Sequence, residues 1–229
     1  MSSQTKDLFT QIHQEHIRRL HMLRVTIDKI GLKMGDTYAM FFAEQQLMEK
    51  HAKYLLYGKN KSRVLEIGYG LGIFAGQISK LDISSYTAVE VHPDLVKKAE
   101  VWSKTLPHQI STRIINKPWQ LCINELETYD VIMYDTWPPK GLENSDFKLF
   151  VENVCMKVLY EGGRFSFFNS GPQISPKRKR ILESKFKSVI YYNYGLSVEP
   201  EYWTKSGLRF VIPIATFSRK NPSTAKITG

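Results

Sequence analysis

The chain has 229 residues, 42% of them hydrophobic and 24% charged, which is ordinary for a soluble globular protein and sufficient for one α/β domain with additions. The two cysteines, Cys122 and Cys155, argue against a disulfide framework and fit a reducing cytoplasm. The N-terminal segment is too polar for a signal peptide, and no apolar run approaches the roughly 18 residues that span a bilayer. We therefore expect a cytoplasmic protein without a membrane partner.

The formal charge of +10 at neutral pH is compatible with a nucleic-acid or other anionic partner. The basic residues are nevertheless spread along the chain, and the densest run, residues 177–180, lacks the interleaved aromatic residues of single-strand binders. We interpret this run as the solvated first turn of a helix. A nucleic-acid partner is not expected, although the charge does not exclude one, and a homo-oligomer is compatible with the sequence.

Apolar residues near helical spacing predict one or two helices within residues 5–30 and a further amphipathic helix over residues 37–57. The segment 31–36 breaks the pattern between them, and Gly58 with the polar residues 59–61 ends the second helix. We expect residues 1–60 to form a helical extension that covers the domain following it as a lid.

From residue 61 onward, strand and helix patterns alternate as in a parallel sheet. The seven predicted strands are residues 63–67, 87–91, 112–115, 129–134, 164–168, 188–194 and 209–217, and the helices between them include 73–80, 93–103 and 146–159. The sequence therefore predicts a doubly wound α/β fold with a seven-stranded, mostly parallel, Rossmann-like sheet over residues 61–218. A polar tail, 219–229, follows it.

The run VLEIGYGLGIFAG, residues 64–76, joins the first of these strands to a helix through Gly68, Gly70 and Gly72. Such a turn lets the backbone approach a ligand above the strand end, but several kinds of nucleotide-binding turn share it, dinucleotide sites included. Two acids accompany it. Glu66 can orient the loop or meet a cationic ligand, and Glu90 ends the next strand, where it can accept the hydroxyls of a ribose.

With a further strand that ends in an aspartate, this order of motifs resembles the class I S-adenosylmethionine-dependent methyltransferases. EGGRFSFFNS, residues 161–170, also resembles the Gly-Gly turn and fifth strand of that family. The resemblance implies a bound S-adenosylmethionine with its methionine portion at the glycines, its ribose at Glu90 and its adenine beside Trp119, which either stacks on that ring or fills the core. The implied cofactor-binding residues are Glu66, Gly68, Tyr69, Gly70, Gly72, Glu90, Val91, Pro118, Trp119 and Asp135.

The strand over residues 129–134 runs into Asp135, Thr136, Trp137 and two prolines, without the Asp/Asn-Pro-Pro-aromatic motif of enzymes that methylate amide or adenine nitrogens. YDVIMYDTWP instead resembles the guanidinoacetate N-methyltransferase family and its relatives that methylate arginine. LKMGDTYAM, residues 32–40, resembles the family's Trp-Glu-Thr-Pro-Tyr-Met segment, with Asp36 in the place of its glutamate. Asn169 and Ser170 stand where that family has the loop that holds the substrate carboxylate.

The chemistry of a guanidinium group explains why the site would need both Asp135 and Asp36. An arginine-type guanidinium has a pKa of about 13.8, and full deprotonation at neutral pH would cost on the order of 9 kcal/mol. A carboxylate that binds the planar cation and accepts its proton during attack on the methyl group avoids that full penalty. We expect Asp135 and Asp36 to be catalytic, with turn and helix caps as their structural alternatives. The expected substrate-binding residues are Asp36, Tyr134, Asp135, Asn169 and Ser170, and no metal site is expected.

The sequence thus predicts an S-adenosylmethionine-dependent N-methyltransferase that acts on the guanidino group of a small molecule, guanidinoacetate-like or arginine-like. Aspartate at position 36 and Gly35 in the place of the family's tryptophan leave the guanidino compound open. The alternatives are an RNA or protein (peptide arginine) methyltransferase and a cofactor-binding scaffold without catalysis.

Overall fold

A computed structural model describes residues 8–203 and 207–219. Its helices are α1 (Gln11–Met22), α2 (Gln45–Leu56), α3 (Ile73–Ile78), α4 (Pro93–Ser103), α5 (Trp119–Cys122), α6 (Glu143–Phe150), α7 (Met156–Val158) and α8 (Pro176–Lys185). Its strands are β1 (Val25–Ile27), β2 (Gly31–Met34), β3 (Thr37–Phe41), β4 (Ser62–Ile67), β5 (Ile83–Glu90), β6 (Ser111–Asn116), β7 (Tyr129–Tyr134), β8 (Leu159–Phe167), β9 (Ser188–Gly195) and β10 (Arg209–Thr216). A π-helical stretch, Val151–Cys155, links α6 to α7.

The main sheet has seven strands in the order β6-β5-β4-β7-β8-β10-β9. The five strands from β6 to β8 run parallel to one another, and β10 runs antiparallel to both β8 and β9. The central strands β4 and β7 are apolar and buried almost throughout, as parallel strands covered on both faces must be. The predicted seven-stranded, mostly parallel sheet is confirmed.

Two hydrophobic cores lie on opposite faces of the main sheet, because successive residues of each strand point to opposite sides. Val64 packs with α2, α3 and α4 on one face, and its neighbour Leu65 packs with α6 and α8 on the other. The doubly wound arrangement follows from this alternation. In the described part of the chain, no helix combines the length and apolar character that a membrane crossing would need.

The N-terminal extension contains helices, as predicted, but also a small antiparallel sheet in the order β1-β2-β3. The helix predicted from residue 37 was wrong at its start: Thr37–Phe41 forms β3, and α2 begins at Gln45. A left-handed turn at Gly35, with φ of +61°, joins β2 to β3. The domain limits and the lid stay predictions, and residues 220–229 of the predicted tail lie outside the described residues.

Candidate active site

A cavity of about 490 Å³ lies at the carboxyl ends of the central strands, within the roughly 300–1,000 Å³ typical of small-molecule sites. Loops of the main sheet and residues of the N-terminal extension form its walls. The predicted site residues that line it are Gly68, Gly70, Glu90, Val91, Pro118, Trp119, Asp135, Asn169 and Ser170. The remaining predicted residues, Asp36, Glu66, Tyr69, Gly72 and Tyr134, are not part of its lining.

The glycine loop after β4 forms one wall of the cavity and touches the loop after β7. Gly68 has a φ of +87°, and a Cβ atom there would lie 1.8 Å from the carbonyl oxygen of Asp135. The Asp135 N–H in turn donates to the Ile67 carbonyl at 2.8 Å. Only glycine fits at position 68, since a side chain would push the two loops apart. The glycine loop and Asp135 are thereby held side by side.

Glu90 ends β5 and lies in the cavity wall, but its carboxylate is already engaged. One oxygen accepts hydrogen bonds from the Tyr69 and Gly70 N–H groups at 2.9 and 3.2 Å. The other accepts from Val91 and His92 at 2.8 and 2.9 Å. A carboxylate offers about four acceptor positions, so Glu90 fixes the glycine loop, and a ribose hydroxyl would have to share or replace one of these bonds.

Glu66 lies behind the glycine loop rather than in the cavity. Its side chain is buried and accepts a hydrogen bond from the Tyr86 hydroxyl. Burial raises the pKa of Glu66 well above its usual value, and the charges of Asp135 and Glu90 add in the same direction. Of the two roles open to this residue, the structure therefore favours orientation of the loop over contact with a cationic ligand.

Trp119 lines the cavity and packs edge-on against Phe150, with ring centroids 5.2 Å apart. Its indole N–H donates to Asp146 at 3.3 Å. Asp146 is buried and also accepts from Gln120 at 2.8 Å and from the Tyr134 hydroxyl at 2.5 Å. Tyr134 therefore supports the wall from behind, and the structure does not bring it to the position expected of a substrate contact.

The two acids predicted to be catalytic differ in their position relative to the cavity. Asp135 lines the cavity, but Asp36 lies exposed at the turn between β2 and β3 and is not part of the lining. Its neighbours Met34 and Thr37 do line the cavity. Glu44, eight residues further on, is buried with 2% of its surface exposed and lines the cavity together with Asp135. Glu44 is thus a carboxylate of the N-terminal extension that lines the cavity, which Asp36 does not.

Helix α1 closes one side of the cavity with residues at helical spacing, among them His13 and His16. His16 donates from Nε2 to the Trp137 carbonyl at 2.8 Å, and His21 donates to the Val91 carbonyl at 2.8 Å. His13 meets Asp146 at 3.3 Å. Three histidines of one helix thus tie it to three separate segments of the α/β domain.

Sequence reasoning missed several residues of this cavity, namely His13, His16, Glu44, Gln120, Asp146 and Arg178. Most stand on helices, where a polar residue on the solvated face and one on the cavity face look alike in a single sequence. The i, i+3 spacing of His13 and His16 indicates no particular chemistry by itself. Among the described residues, no group of three or more His, Cys, Asp and Glu side chains lies together as a candidate metal site.

The strand order, the antiparallel β10 and the glycine loop at the cavity define a class I methyltransferase fold. The family model for guanidinoacetate N-methyltransferase matches residues 39–173, more than half of the chain. The chain therefore belongs to the guanidinoacetate N-methyltransferase family.

Individual proteins agree with this placement. The chain is 32% identical over 151 residues to protein arginine N-methyltransferase 2 of Aspergillus fumigatus, an alignment that covers 64% of this chain and 34% of that protein. It spans about a third of the length of the curated relatives that it matches. The N-methyltransferase NodS of Bradyrhizobium japonicum, in complex with S-adenosyl-L-homocysteine, superimposes with a TM-score of 0.57 at 16% identity over 79% of this chain and 88% of NodS. Spermidine synthase of Thermotoga maritima superimposes with a TM-score of 0.60 at 18% identity, over 84% of this chain and 72% of the synthase. These two structures show the shared fold.

Proposed function

We propose that the chain is an S-adenosylmethionine-dependent N-methyltransferase that acts on the guanidino group of a small molecule. The observation that carries this proposal is the contact between Gly68 and the Asp135 carbonyl, which sets a carboxylate beside the glycine loop. The cavity volume of about 490 Å³ suits a cofactor with a small second ligand. Membership of the guanidinoacetate N-methyltransferase family supports the choice of a guanidino group.

The residues at the cavity fit the cofactor. Gly68 and Gly70 both line it with positive φ, so the loop presents backbone without side chains to a ligand. Glu90 lines the cavity at the end of β5, where a ribose hydroxyl would share or replace one of its backbone hydrogen bonds. When bound there, S-adenosylmethionine would supply an electrophilic methyl group on a sulfonium centre.

Asp135 would bind the guanidinium and accept a proton from it. A guanidinium nitrogen has no free lone pair while the group is fully protonated, so the nucleophile must lose a proton as it attacks. A carboxylate that hydrogen-bonds to the planar cation holds the nitrogen in position and receives that proton at the same place. The nitrogen that takes up the methyl group leaves the product a cation, and Asp135 then releases the abstracted proton to solvent.

Glu44 would be the second anchor of the same cation. It is buried on the extension side of the cavity, whereas Asp135 belongs to the loop after β7. Two carboxylates on different walls restrict both the position and the plane of a guanidinium, which lowers the entropic cost of reaching the reactive geometry. We assign Glu44 this role because Asp36 is exposed and lies outside the cavity lining.

The test is methyl transfer to a panel of guanidino compounds, read by mass as the gain of one CH₂ group. The substitution Asp135→Asn keeps the shape of the side chain but removes the proton acceptor, so kcat should fall by roughly 10²–10⁴-fold. Binding of S-adenosylhomocysteine, measured by calorimetry, should change little. The exposed Asp36→Asn is the matched control and should retain activity. Near-normal turnover by Asp135→Asn would exclude the proposed role.

A second candidate is methylation of arginine in a protein, which the similarity to protein arginine N-methyltransferase 2 favours. The chain spans only a third of that relative, so the likeness concerns this domain. Adding arginine-containing peptides to the same panel separates the two candidates. RNA belongs in the panel as well because of the charge of +10. Cofactor binding without turnover on any of these compounds would instead indicate a non-catalytic scaffold.

A further inference from the structure

Strand β9 forms one edge of the main sheet, and among the described residues no strand lies on its outer side. It pairs with β10 without interruption from Ser188 to Gly195. Its eight residues, SVIYYNYG, include no charged residue and no proline. Natural edge strands usually carry such residues, or are very short, because exposed backbone groups otherwise recruit another strand. β9 therefore has the properties of a strand that is meant to be paired.

The opposite edge of the same sheet is protected. Strand β6 has six residues, and the charged Arg113 stands in its middle. The Arg113 side chain pairs with the Glu125 carboxylate at 3.3 Å and donates to the Glu125 carbonyl at 2.6 Å. The two edges are therefore not equivalent, and of the two, β9 is the one that is open to a further strand.

Alternate residues of β9 point their backbone groups away from the sheet. The Leu196 N–H donates to the Leu208 carbonyl at 2.7 Å, so the even-numbered residues of the strand face β10. On β10, the Val211 N–H turns away from β9 and donates to the Gly171 carbonyl at 3.1 Å, so its neighbour Asn193 faces outward. In the described part of the chain, none of the outward N–H groups meets a backbone acceptor. The outward residues are Val189, Tyr191, Asn193 and Gly195.

This outward set is self-complementary under a two-fold rotation. Two copies of β9 that run antiparallel about an axis at Tyr192 would place Val189 opposite Gly195 of the second copy. The same axis would place Tyr191 opposite Asn193. Each of these opposed pairs exchanges two backbone hydrogen bonds, so every outward group of the set would find a partner.

The side chains of β9 suit the same register. Ile190 is 51% exposed, and the axis would place it opposite Tyr194 of the second copy. An aromatic residue opposite a β-branched one is a favourable cross-strand pair. Helix α2 orders this face in advance, because Tyr192 stacks on Tyr54 with ring centroids 4.0 Å apart and the Tyr194 hydroxyl donates to Gln46 at 3.0 Å. The strand is thus held in shape before it pairs.

The charges at the two ends of β9 are complementary. The exposed Lys187 precedes the strand, and the exposed Glu199 follows it. Antiparallel pairing about Tyr192 would place Lys187 opposite Ser197 of the second copy, two residues before Glu199. A two-fold arrangement repeats this attractive contact at its other end, which favours a second copy of the chain over an unrelated strand.

We propose that β9 is a homodimer interface, at which the main sheets of two copies join edge to edge with the two-fold axis at Tyr192. The occupant of the open edge is a second copy of this chain. No residue of β9 lines the cavity, so this inference stands apart from the proposed methyl transfer.

Sedimentation equilibrium over about 1–100 µM, at about 0.15 M salt, measures the association. The wild-type protein should form a dimer in this range. Asn193→Pro removes an outward N–H and places a ring in the path of the second strand, while edge strands tolerate proline where the N–H faces solvent. Its Kd should rise by roughly 10- to 100-fold, because a two-fold dimer loses each contact twice. The matched control, Asn193→Thr, keeps the N–H and should associate as the wild type does.

Reversal of the end charges tests the antiparallel arrangement. Lys187→Glu and Glu199→Lys should each raise Kd by about 2- to 10-fold, and the double variant should recover the wild-type value. A general charge effect has the opposite sign for Lys187→Glu, because that change lowers the repulsion between two copies of formal charge +10. Tighter association of Lys187→Glu would therefore contradict the proposed contact.

A cysteine pair tests the register. Opposed residues that share no hydrogen bond have Cα atoms about 4.5 Å apart, within the reach of a disulfide. Mild oxidation of Ile190→Cys/Tyr194→Cys should link two copies, whereas Ile190→Cys alone should stay unlinked because it faces a tyrosine. Within one copy the two positions are about 13 Å apart along the strand, too far to bridge. The natural residues Cys122 and Cys155 are buried.

A wild-type protein that stays monomeric to the highest concentration would overturn the inference and leave the edge to a strand of another protein. A dimer with an unchanged Kd in Asn193→Pro would also overturn it, since the copies would then meet elsewhere. Thermal unfolding shows whether Asn193→Pro is folded. Should it not fold, the cysteine pair decides, and absence of the intermolecular disulfide in that pair, or its formation by Ile190→Cys alone, counts against the proposed register.

Discussion

Gly68 shows how much of the cavity depends on one residue. It adopts a φ of +87°, which L-residues with side chains rarely adopt, and it touches the backbone of the Asp135 loop. The Gly68 N–H donates to the Val89 carbonyl at 2.8 Å, so the peptide cannot turn away without losing a buried bond. Three neighbouring strands, β4, β5 and β7, are thus joined through this one position.

The substitution Gly68→Ala should abolish cofactor binding and activity. The added Cβ would lie 1.8 Å from the Asp135 carbonyl oxygen, so the glycine loop and the Asp135 loop must separate. The backbone strain alone costs about 1–3 kcal/mol.

The matched control is Gly76→Ala, because Gly76 lies inside α3 and a Cβ there would meet nothing within 4 Å. That variant should be neutral or more stable by up to about 1 kcal/mol. Thermal unfolding and S-adenosylhomocysteine titration of both variants make the comparison, and equal behaviour would contradict it.

At the residue scale, the sequence predicts residues that a local backbone motif requires better than it predicts which side chains come together across the fold. The glycines and the acids at strand ends follow from local pattern, and Gly68, Glu90 and Asp135 all line the cavity. The place of Glu44 does not follow, because no local pattern shows that the short 3₁₀ turn Phe42–Glu44 buries this side chain at the cavity. A resemblance in sequence places a residue along the chain but does not fix the direction of its side chain.

At the scale of elements, α1 and the small sheet β1-β2-β3 make the extension a wall of the cavity. The alternation of buried Leu32 and Met34 is a strand pattern, but it covers only four residues and merges into the helical pattern around it. Met40 at the end of β3 packs on the glycine loop, and its sulfur lies 3.3 Å from the Leu71 nitrogen. The extension thus contacts the part of the domain where the cofactor is expected.

Helix α1 should control how long ligands stay in the cavity. Its hydrogen bonds from His16 and His21 to backbone carbonyls hold it against the loops after β7 and β5. The double substitution His16→Ala/His21→Ala should speed the release of S-adenosylhomocysteine by roughly tenfold, since each such bond contributes about 0.5–1.5 kcal/mol. Stopped-flow displacement measures this rate.

His108→Ala is the matched control for this experiment, since His108 is exposed and distant in sequence from α1. Its release rate should equal that of the wild-type protein. A double variant with the wild-type rate would show that α1 does not act as a lid.

At the scale of the whole molecule, the order and direction of the strands follow from the sequence because alternating strand and helix patterns allow few topologies. The long-range side-chain contacts that join the layers cannot be predicted from the sequence in the same way. His13 meets Asp146 across 133 residues, and His51 meets Ser166 across 115 residues. No local pattern marks either pair, and each becomes visible only when the layers are packed together.

The second of these pairs joins α2 to the centre of the main sheet. The His51 Nδ1 lies 2.8 Å from the Ser166 hydroxyl, which donates to the Pro213 carbonyl at 2.6 Å. Since that hydroxyl has one proton and gives it to the carbonyl, His51 must donate from Nδ1. Full burial lowers the pKa of His51 to about 3. The histidine is therefore neutral in the folded protein across the physiological range.

This burial makes the free energy of unfolding depend on pH in a defined direction. The unfolded chain binds a proton at His51 below about pH 6.5, whereas the folded protein does so only near pH 3. Between these values the free energy of unfolding therefore decreases by about 1.4 kcal/mol for each unit by which the pH is lowered. Glu66 opposes this trend, because its raised pKa adds stability that is complete below its unfolded value and is lost as pH rises.

Comparing the pH dependence of unfolding between the wild-type protein and a His51 variant isolates the contribution of the histidine. Urea unfolding from pH 6 to 4 should show a slope smaller by about 1.4 kcal/mol per unit for His51→Gln, which can still donate to Ser166. The exposed His108→Gln should keep the wild-type slope, and parallel curves for all three proteins would mean that His51 is not buried as a neutral donor.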